Sequence, residues 1–206
     1  MDNDKTALRS RLLVRRRMLA PEEREAAAEV LAGHVLGLLP PPDGQSATVT
    51  VAAYVSVGAE PGTRFLLEAL RSRGVGVLLP VLLPDNDLEW AAYGGPESLR
   101  PAARGLLEPS GPQLGMQAVC SAVLVLLPGL AVDRSGVRLG RGGGSYDRVL
   151  ARLRAAGSRA RLVTLLYEGE LLASVPAEPH DHAVDTVVMP SGVHRIRSEE
   201  LARYTP

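Results

Sequence analysis

A glycine-rich segment over 138–147 carries the residue types best suited to holding phosphate. It reads Arg-Leu-Gly-Arg-Gly-Gly-Gly-Ser-Tyr-Asp and lies between the most apolar run of the chain, 122–132, and a predicted helix that begins at Tyr146. Clustered glycines let a backbone adopt positive φ and approach a ligand closely. Unpaired N–H groups at the helix start, together with Arg138 and Arg141, add donors that favour an anion. The segment therefore predicts a phosphate site at the carboxyl end of a buried strand.

Known phosphate and nucleophile motifs do not fit this segment. It lacks the lysine of a Walker loop, and a dinucleotide pattern started at Gly140 meets Ser145 in place of its third glycine. A serine-hydrolase turn centred on Ser145 meets Asp147 where it needs glycine. A flexible surface turn is the simplest alternative for a glycine run. The strand–loop–helix context and the two arginines favour a ligand site over that alternative.

The rest of the chain predicts alternating strands and helices that position this segment at one edge of a sheet. Apolar runs without polar alternation indicate strands that are buried on both faces. The predicted strands are 47–57, 75–83, 88–93, 122–132, 161–167 and 185–189; the predicted helices are two over 1–40, then 61–73, 146–156 and a short one that includes 171–175; 94–115 is predicted as a surface loop. We expect an α/β fold: a single three-layer domain over 1–206, with a mostly parallel buried sheet covered by helices. The N-terminal helical segment, 1–40, is expected to pack on this α/β body.

Composition and charge argue against several classes of protein. The 206 residues include 23 basic and 23 acidic ones and only 3% aromatics, which disfavours a general nucleic-acid binder. The longest apolar run is interrupted by Pro128 and is far shorter than the roughly 20 residues of a membrane span. The charged start of the chain does not resemble a signal peptide, and the single cysteine, Cys120, allows no internal disulfide. We therefore expect a cytoplasmic monomer without nucleic-acid or membrane partners.

Blocks in a fixed order along the chain resemble the 5-formyltetrahydrofolate cyclo-ligase (5,10-methenyltetrahydrofolate synthetase) family. The segment 138–147, preceded by Pro-Gly-Leu-Ala over 128–131 and by Asp133, is similar to the family's signature. The other matching positions are Lys5, Leu8, Arg9 and Arg15; 54–56 with Glu60 and Thr63; 105–109; and Pro176, Glu178, His180, Asp181 and Asp185. The resemblance implies an enzyme that uses ATP and Mg²⁺ to cyclise a reduced folate. Phosphoryl transfer of this kind depends on positioned cations and backbone donors, which the glycine-rich segment offers.

The resemblance also assigns expected roles to individual residues. The implied ATP-binding residues are Lys5, Arg9, Arg15, Arg138, Leu139, Gly140, Arg141, Gly142, Gly143, Gly144, Ser145 and Tyr146; the implied folate-binding residues are Val55, Glu60, Arg141, Gly142, Gly143, Gly144 and Ser145; Arg141, Tyr146 and Asp147 are the implied catalytic residues, and Asp147 and Asp181 the implied Mg²⁺ ligands. Helical spacing also places Arg15 on one stripe with Leu8, Leu12 and Leu19. A charge on an apolar stripe must be paired or bound to a ligand, and a structural ion pair and a phosphate contact both remain open.

Two positions depart from the family pattern and leave an alternative function open. Ser145 stands where the family usually has an aromatic residue, and Val132 stands in place of phenylalanine. The alternative is a catalytically weak or inactive relative that binds nucleotide and folate, in which Ser145→Tyr would restore turnover. A different enzyme on a similar sheet, such as a sugar-phosphate isomerase, would need no ATP.

Overall fold

Four helices and twelve strands make up the computed structural model, which describes residues 2–41, 49–178 and 182–196. The helices are α1 (Asp2–Met18), α2 (Pro21–Leu36), α3 (Arg64–Ser72) and α4 (Ser145–Ala155). The strands are β1 (Thr50–Ala52), β2 (Gly76–Leu82), β3 (Leu88–Ala92), β4 (Leu99–Pro101), β5 (Leu107–Pro109), β6 (Leu124–Leu127), β7 (Ala131–Asp133), β8 (Arg138–Leu139), β9 (Arg161–Leu165), β10 (Leu171–Leu172), β11 (Thr186–Met189) and β12 (Gly192–Arg195).

Seven strands form a central sheet in the order β12-β11-β9-β6-β1-β2-β3. The five inner strands run parallel, and β12 and β3 pair antiparallel at the two edges. Alternate residues of the inner strands point to opposite faces. Val51 lies in one buried cluster with Leu31 of α2 and Leu66 of α3, whereas Ala52 lies in a second cluster with Val149 of α4. This arrangement confirms the predicted α/β fold with a mostly parallel sheet between two helical layers.

A second sheet of three short strands, β10-β7-β8, supports the amino-terminal helix. Leu12 of α1 packs with Ala131 and Leu139 from this sheet and with Val175. Because β8 forms the first two residues of the glycine-rich segment, the packing of α1 on the small sheet also holds α1 against that segment. No helix within the described ranges is long and apolar enough to cross a membrane.

Several predicted elements differ from the observed ones. The predicted strand 122–132 is divided into β6 and β7, because the chain leaves the central sheet at Pro128 and joins the small one. The short helix predicted around 171–175 is wrong: β10 lies there and pairs with β7. The predicted loop 94–115 contains the hairpin β4–β5. β4 and β5 pair across a local turn and β10 pairs with a distant strand, so these short strands are defined by backbone pairing and not by an apolar run of their own.

The buried arginine on α1 is Arg16, so the predicted apolar stripe through Arg15 is wrong by one residue. Lys5, Leu12 and Arg16 are buried, at spacings of seven and four residues that define one helical face. Arg15 is exposed, and its guanidinium donates to the carbonyl oxygens of Glu168 and Gly169 at 3.1 and 3.3 Å.

Asp133 closes the turn between β7 and β8 and ties it to Val175. One carboxylate oxygen accepts the N–H groups of Ser135 and Val137 and the hydroxyl of Ser135, and the other accepts the N–H of Val175 at 3.0 Å. Burial alone would raise the pKa of Asp133, but these hydrogen bonds to the charged form bring the pKa below its ordinary value.

We expect Asp133→Asn to lower the free energy of unfolding by about 2 kcal/mol at pH 7, because an amide cannot accept all of these bonds. A carboxyl whose pKa is lower in the folded state contributes fully to the free energy of unfolding at pH values above its unfolded pKa of about 3.9. The contribution is lost as the pH falls through the pKa of the folded state. Urea unfolding between pH 7 and pH 2 should therefore show the wild-type advantage shrinking below about pH 4. An advantage independent of pH would contradict this account.

Candidate functional site

A cavity of about 620 Å³ opens at the carboxyl ends of the parallel strands. The chain segments that follow β1 and β6 form its floor, and the glycine-rich segment and α1 form one side. The structure brings together these residues predicted from sequence: Lys5, Arg9, Val55, Glu60 and every residue of 138–147. Arg15 does not line the cavity, and Asp181 lies outside the described residues. The predicted position at the carboxyl edge of the sheet agrees with the general location of ligand sites in open α/β sheets.

Two glycines of the loop between β8 and α4 lie against arginine side chains, and one of them has positive φ. Gly142 has φ +92°, and a Cβ on it would lie 3.5 Å from the guanidinium carbon of Arg9. A Cβ on Gly140 would lie 2.7 Å from a terminal nitrogen of Arg138, closer than ordinary contact permits. The absence of side chains at these two glycines lets the loop backbone lie close to Arg138 and Arg9.

The first helix delivers two cations to the cavity. The Nζ of Lys5 lies 3.0 Å from a carboxylate oxygen of Glu178, and the Lys5 side chain is 9% exposed. The Nε of Arg9 donates to the carbonyl oxygen of Gly140 at 3.0 Å. Lys5 and Arg9 are four residues apart and so project from the same side of α1. The helix therefore supplies positive charge to the cavity. It also fixes the start of the loop 140–144 between β8 and α4, which we call the glycine loop.

Two arginines of the loop are paired with carboxylates. Arg138 donates to Asp147 at 2.9 Å and to the carbonyl oxygen of Pro128 at 3.0 Å, which connects the loop, the first turn of α4 and the end of β6. The Nε of Arg141 lies 3.1 Å from Glu60. The Arg141 side chain is 52% exposed, so this second pair stands in contact with solvent and can rearrange around a ligand.

Glu60 is held in place from the side of β1. Its second carboxylate oxygen accepts the N–H of Val57 at 2.8 Å, and its side chain is only 10% exposed. The Tyr167 hydroxyl donates to the Glu60 carbonyl oxygen at 3.1 Å. A carboxylate oriented in this way can accept hydrogen bonds from the N–H groups of a heteroaromatic ligand.

Two cavity tyrosines remain protonated hydroxyl donors at neutral pH. Burial, and then the negative charge of Glu60, raise the pKa of Tyr54 well above its ordinary value. The same two causes raise the pKa of Tyr146. Both tyrosines line the cavity. Each can therefore donate a proton in a hydrogen bond but does not carry a negative charge there.

A buried ion pair beneath the cavity was missed by the sequence reasoning. Arg16 donates to both oxygens of Glu170 at 2.8 and 2.7 Å, and to the carbonyl oxygen of Gly129, a cavity residue, at 2.7 Å. The N–H of Tyr167 also donates to Glu170. Burial lowers the pKa of Arg16, but its pairing with Glu170 outweighs this and raises the pKa overall. The spacing of Lys5, Leu12 and Arg16 was the signal that identifies this buried face.

We expect Glu170→Leu to reduce the free energy of unfolding by about 3–5 kcal/mol, because it leaves Arg16 buried without its partner. The double substitution Arg16→Met with Glu170→Leu should recover most of that loss, since no buried charge remains. Arg71→Leu, which breaks an exposed pair with Glu68, is the matched control and should cost under about 1 kcal/mol. Urea unfolding measures all three. A double variant no more stable than Glu170→Leu would contradict the pairing argument.

The carboxylates described around the cavity are too few to hold a metal ion alone, but they suit a Mg²⁺ ion that also binds the phosphates of a ligand. Within the described ranges no three His, Cys, Asp or Glu residues are grouped closely enough to hold a metal by themselves. Mg²⁺ typically takes one or two carboxylates and completes its shell with phosphate oxygens and water. Asp147 uses one oxygen for Arg138 and lines the cavity beside the glycine loop. The donor set around Asp147 therefore fits Mg²⁺ carried with a phosphate ligand.

Comparison with known proteins identifies the family. The profile of the 5-formyltetrahydrofolate cyclo-ligase family matches residues 1–190. The chain belongs to this family. It is 42% identical over 191 residues to the 5-formyltetrahydrofolate cyclo-ligase of Mycolicibacterium smegmatis, covering 90% of this chain and 93% of the relative. The family identified from sequence is thereby confirmed, as is its assignment to an enzyme family.

Solved structures of the cyclo-ligase family have the same architecture. The NMR structure of Aquifex aeolicus 5,10-methenyltetrahydrofolate synthetase superposes with a TM-score of 0.73 at 26% identity, over 94% of this chain and 93% of that one. A 5,10-methenyltetrahydrofolate synthetase from Mycoplasma pneumoniae superposes with a TM-score of 0.68 at 19% identity, over 89% and 97% of the two chains. At 19% identity, the second comparison supports the fold and nothing further.

Proposed function

We propose that this protein converts 5-formyltetrahydrofolate to 5,10-methenyltetrahydrofolate, using ATP and Mg²⁺ and releasing ADP and phosphate. The observation that carries the proposal is the shared cavity, in which the cations of α1, the glycine loop and Glu60 face one space. Such a cavity combines a site for phosphates with a site for a hydrogen-bonding ring system. Family membership supports the same activity.

The triphosphate of ATP would bind between α1 and the glycine loop. Lys5 and Arg9 supply charge from the helix, and Arg138 supplies it from the loop. The backbone N–H groups at the start of α4 supply neutral donors, and the helix dipole favours negative charge there. Asp147 would hold Mg²⁺ together with the phosphates, and when bound this ion neutralises charge on them. Asp181 remains a proposed second ligand, by family resemblance.

The reduced folate would bind on the side of the cavity formed by Val55 and Glu60. The Glu60 carboxylate would accept hydrogen bonds from ring N–H and amino groups, in place of its present contact with Arg141. Arg141 would then be released to stabilise charge at the reacting end of the folate. Glycines 142–144 and Ser145 border the same space.

The proposed reaction has two bond-forming steps. The formyl oxygen attacks the γ-phosphorus of ATP, and the bond to the bridging oxygen of ADP breaks. The N10 lone pair then attacks the formyl carbon, the N10 proton is lost, and the original formyl oxygen leaves with the phosphate. Arg141 and the neutral hydroxyl of Tyr146, which both line the cavity, would donate to oxygens that gain negative charge in these steps.

Absorbance of the methenyl product tests the proposed function. Purified protein is mixed with 5-formyltetrahydrofolate and Mg²⁺, with and without ATP, and with a chelator in a third sample. Growth of the methenyl-folate band that requires ATP and stops on chelation is the expected result. No growth from folded protein that still binds ATP would overturn the proposal in favour of the inactive binding relative, and Ser145→Tyr would then be the first variant to assay.

We further propose that the enzyme acts as a cytoplasmic monomer on small molecules alone. Reduced folate and ATP are soluble, and the balance of 23 basic and 23 acidic residues gives no general attraction to nucleic acid or anionic membranes. A mass measurement in solution that gives more than one chain per particle would contradict the monomer.

A further inference from the structure

We propose that Arg104 binds the carboxylates of the glutamate part of the folate substrate and so fixes which end of the folate enters the cavity. The inference rests on the proposed function and adds a specificity-determining residue to it. Arg104 lies in the short turn Ala103–Gly105 between β4 and β5, outside every segment assigned a role above, and it lines the cavity.

The backbone around Arg104 adopts a conformation that non-glycine residues rarely take. Arg104 has φ +59° and Asn86 has φ +67°, and within the described ranges these two are the non-glycine residues with positive φ. Their side chains meet: the Nη2 of Arg104 donates to the Asn86 Oδ1 at 2.7 Å. Unfavourable conformations of this kind cluster at ligand-binding positions. Here the contact with Asn86 holds one nitrogen of the Arg104 guanidinium, and Arg104 lines the cavity.

The positive charge of Arg104 is not paired with a carboxylate among the described residues. Lys5, Arg138 and Arg141 each contact a carboxylate at 2.9–3.1 Å, whereas the partner of Arg104 is a neutral amide. The acidic residues of the same hairpin and those beside Asn86 have other partners, and one of them, Glu108, also lines the cavity. Asp85 and Asp87 pair with Arg148 and Arg152 of α4, and Glu108 accepts the N–H of Leu82. Arg104 is therefore available to an anionic ligand.

Apolar residues beside Arg104 indicate what kind of anion it takes. The same cavity is lined by Pro80, Leu82, Leu88, Leu106 and Leu107, from β2, β3 and the hairpin that carries Arg104. An apolar wall next to a cation suits an aromatic ring that ends in carboxylates, as in the benzoylglutamate part of a folate. A phosphate of ATP is the other anion present in the reaction. The cations of α1 and the glycine loop already provide for phosphate, so the carboxylates are the better match.

Equilibrium binding tests this inference independently of turnover. Calorimetric titrations compare 5-formyltetrahydrofolate, 5-formyltetrahydropteroate, which lacks the glutamate, and ATP. The proteins are wild type, Arg104→Gln, Arg104→Lys and the control Arg100→Gln. Arg100 is an exposed arginine of the same hairpin that donates to backbone carbonyls and does not line the cavity.

We expect Arg104→Gln to weaken binding of 5-formyltetrahydrofolate about 5- to 10-fold, from the loss of a charge-assisted contact at an exposed residue. Binding of 5-formyltetrahydropteroate and ATP should change less than about 2-fold, Arg104→Lys should retain most of the affinity, and Arg100→Gln should match wild type. In the turnover assay the KM for folate should rise while kcat is kept.

Other outcomes overturn the inference. Equal weakening for the two pterins assigns Arg104 to the ring portion, weakening for ATP assigns it to phosphate, and no change removes it from the site. Wild-type protein that binds both pterins but forms no ATP-dependent product refutes the proposed function, while the binding comparison still decides the role of Arg104. Wild-type protein that binds neither pterin refutes both.

Discussion

Asp147→Asn should reduce ATP-dependent turnover by about 100- to 1000-fold while leaving the protein folded. The substitution removes a negative charge from the cavity wall beside the glycine loop, where Mg²⁺ and phosphates are proposed to bind. It also weakens the contact of 2.9 Å that anchors Arg138 to the first turn of α4. The fold should tolerate the change, because Asp147 is partly exposed and an amide oxygen can still accept from Arg138.

The measurement is initial rate against Mg²⁺ concentration, with thermal unfolding as the check on folding. Asp85→Asn is the matched control, because Asp85 is an exposed carboxylate that also pairs with an arginine of α4, at 3.6 Å, but does not line the cavity. The control should turn over like wild type. An Asp147→Asn enzyme with wild-type rate and Mg²⁺ dependence would remove Asp147 from the metal site. Its role would then be limited to stabilising the first turn of α4 through the helix dipole.

Local sequence patterns were sufficient for the elements that form the core. β6 is a continuous apolar run and β9 is mostly apolar, so their composition predicts both strands. The helix α4 follows directly from the glycine loop, and its apolar periodicity predicts it. The short strands β8 and β10 were not predictable in this way. Each has only two residues and is defined by backbone pairing with β7: β8 through a tight hairpin and β10 through the tertiary fold, which brings a distant part of the chain beside β7.

The candidate site was predicted best where the chemistry is contiguous in sequence. The segment 138–147 was found whole, because glycines and arginines at short spacing carry their own signal. Arg104 and the pair of Arg16 with Glu170 were not found, because each depends on residues brought together from distant parts of the chain. On α1, a one-residue error of phase also exchanged exposed Arg15 for buried Arg16. Three adjacent arginines, 15–17, make that phase hard to fix from sequence.

Gly142→Ala should lower turnover about 100-fold or more, through loss of ATP binding. At φ +92° an alanine is strained, so the loop would shift, and its Cβ would reach toward the guanidinium of Arg9. Arg9 also donates to Gly140, so a shift of the strained loop would move both the backbone donors and the anchor point of a cation of the phosphate site. A shift of the phosphate-binding loop lowers the rate of phosphoryl transfer strongly, because positioning of the phosphates supplies most of the catalysis.

Backbone strain by itself must be separated from damage to the site. Gly115→Ala provides the comparison: Gly115 has φ +85°, a Cβ on it would meet nothing within 4 Å, and it does not line the cavity. Both variants should lose a similar amount of stability, about 1 kcal/mol, in urea unfolding. Only Gly142→Ala should lose ATP affinity in calorimetry and turnover in the absorbance assay. Equal activity in the two variants would mean that the glycine loop binds its ligand without the close backbone approach on which the proposed ATP site depends.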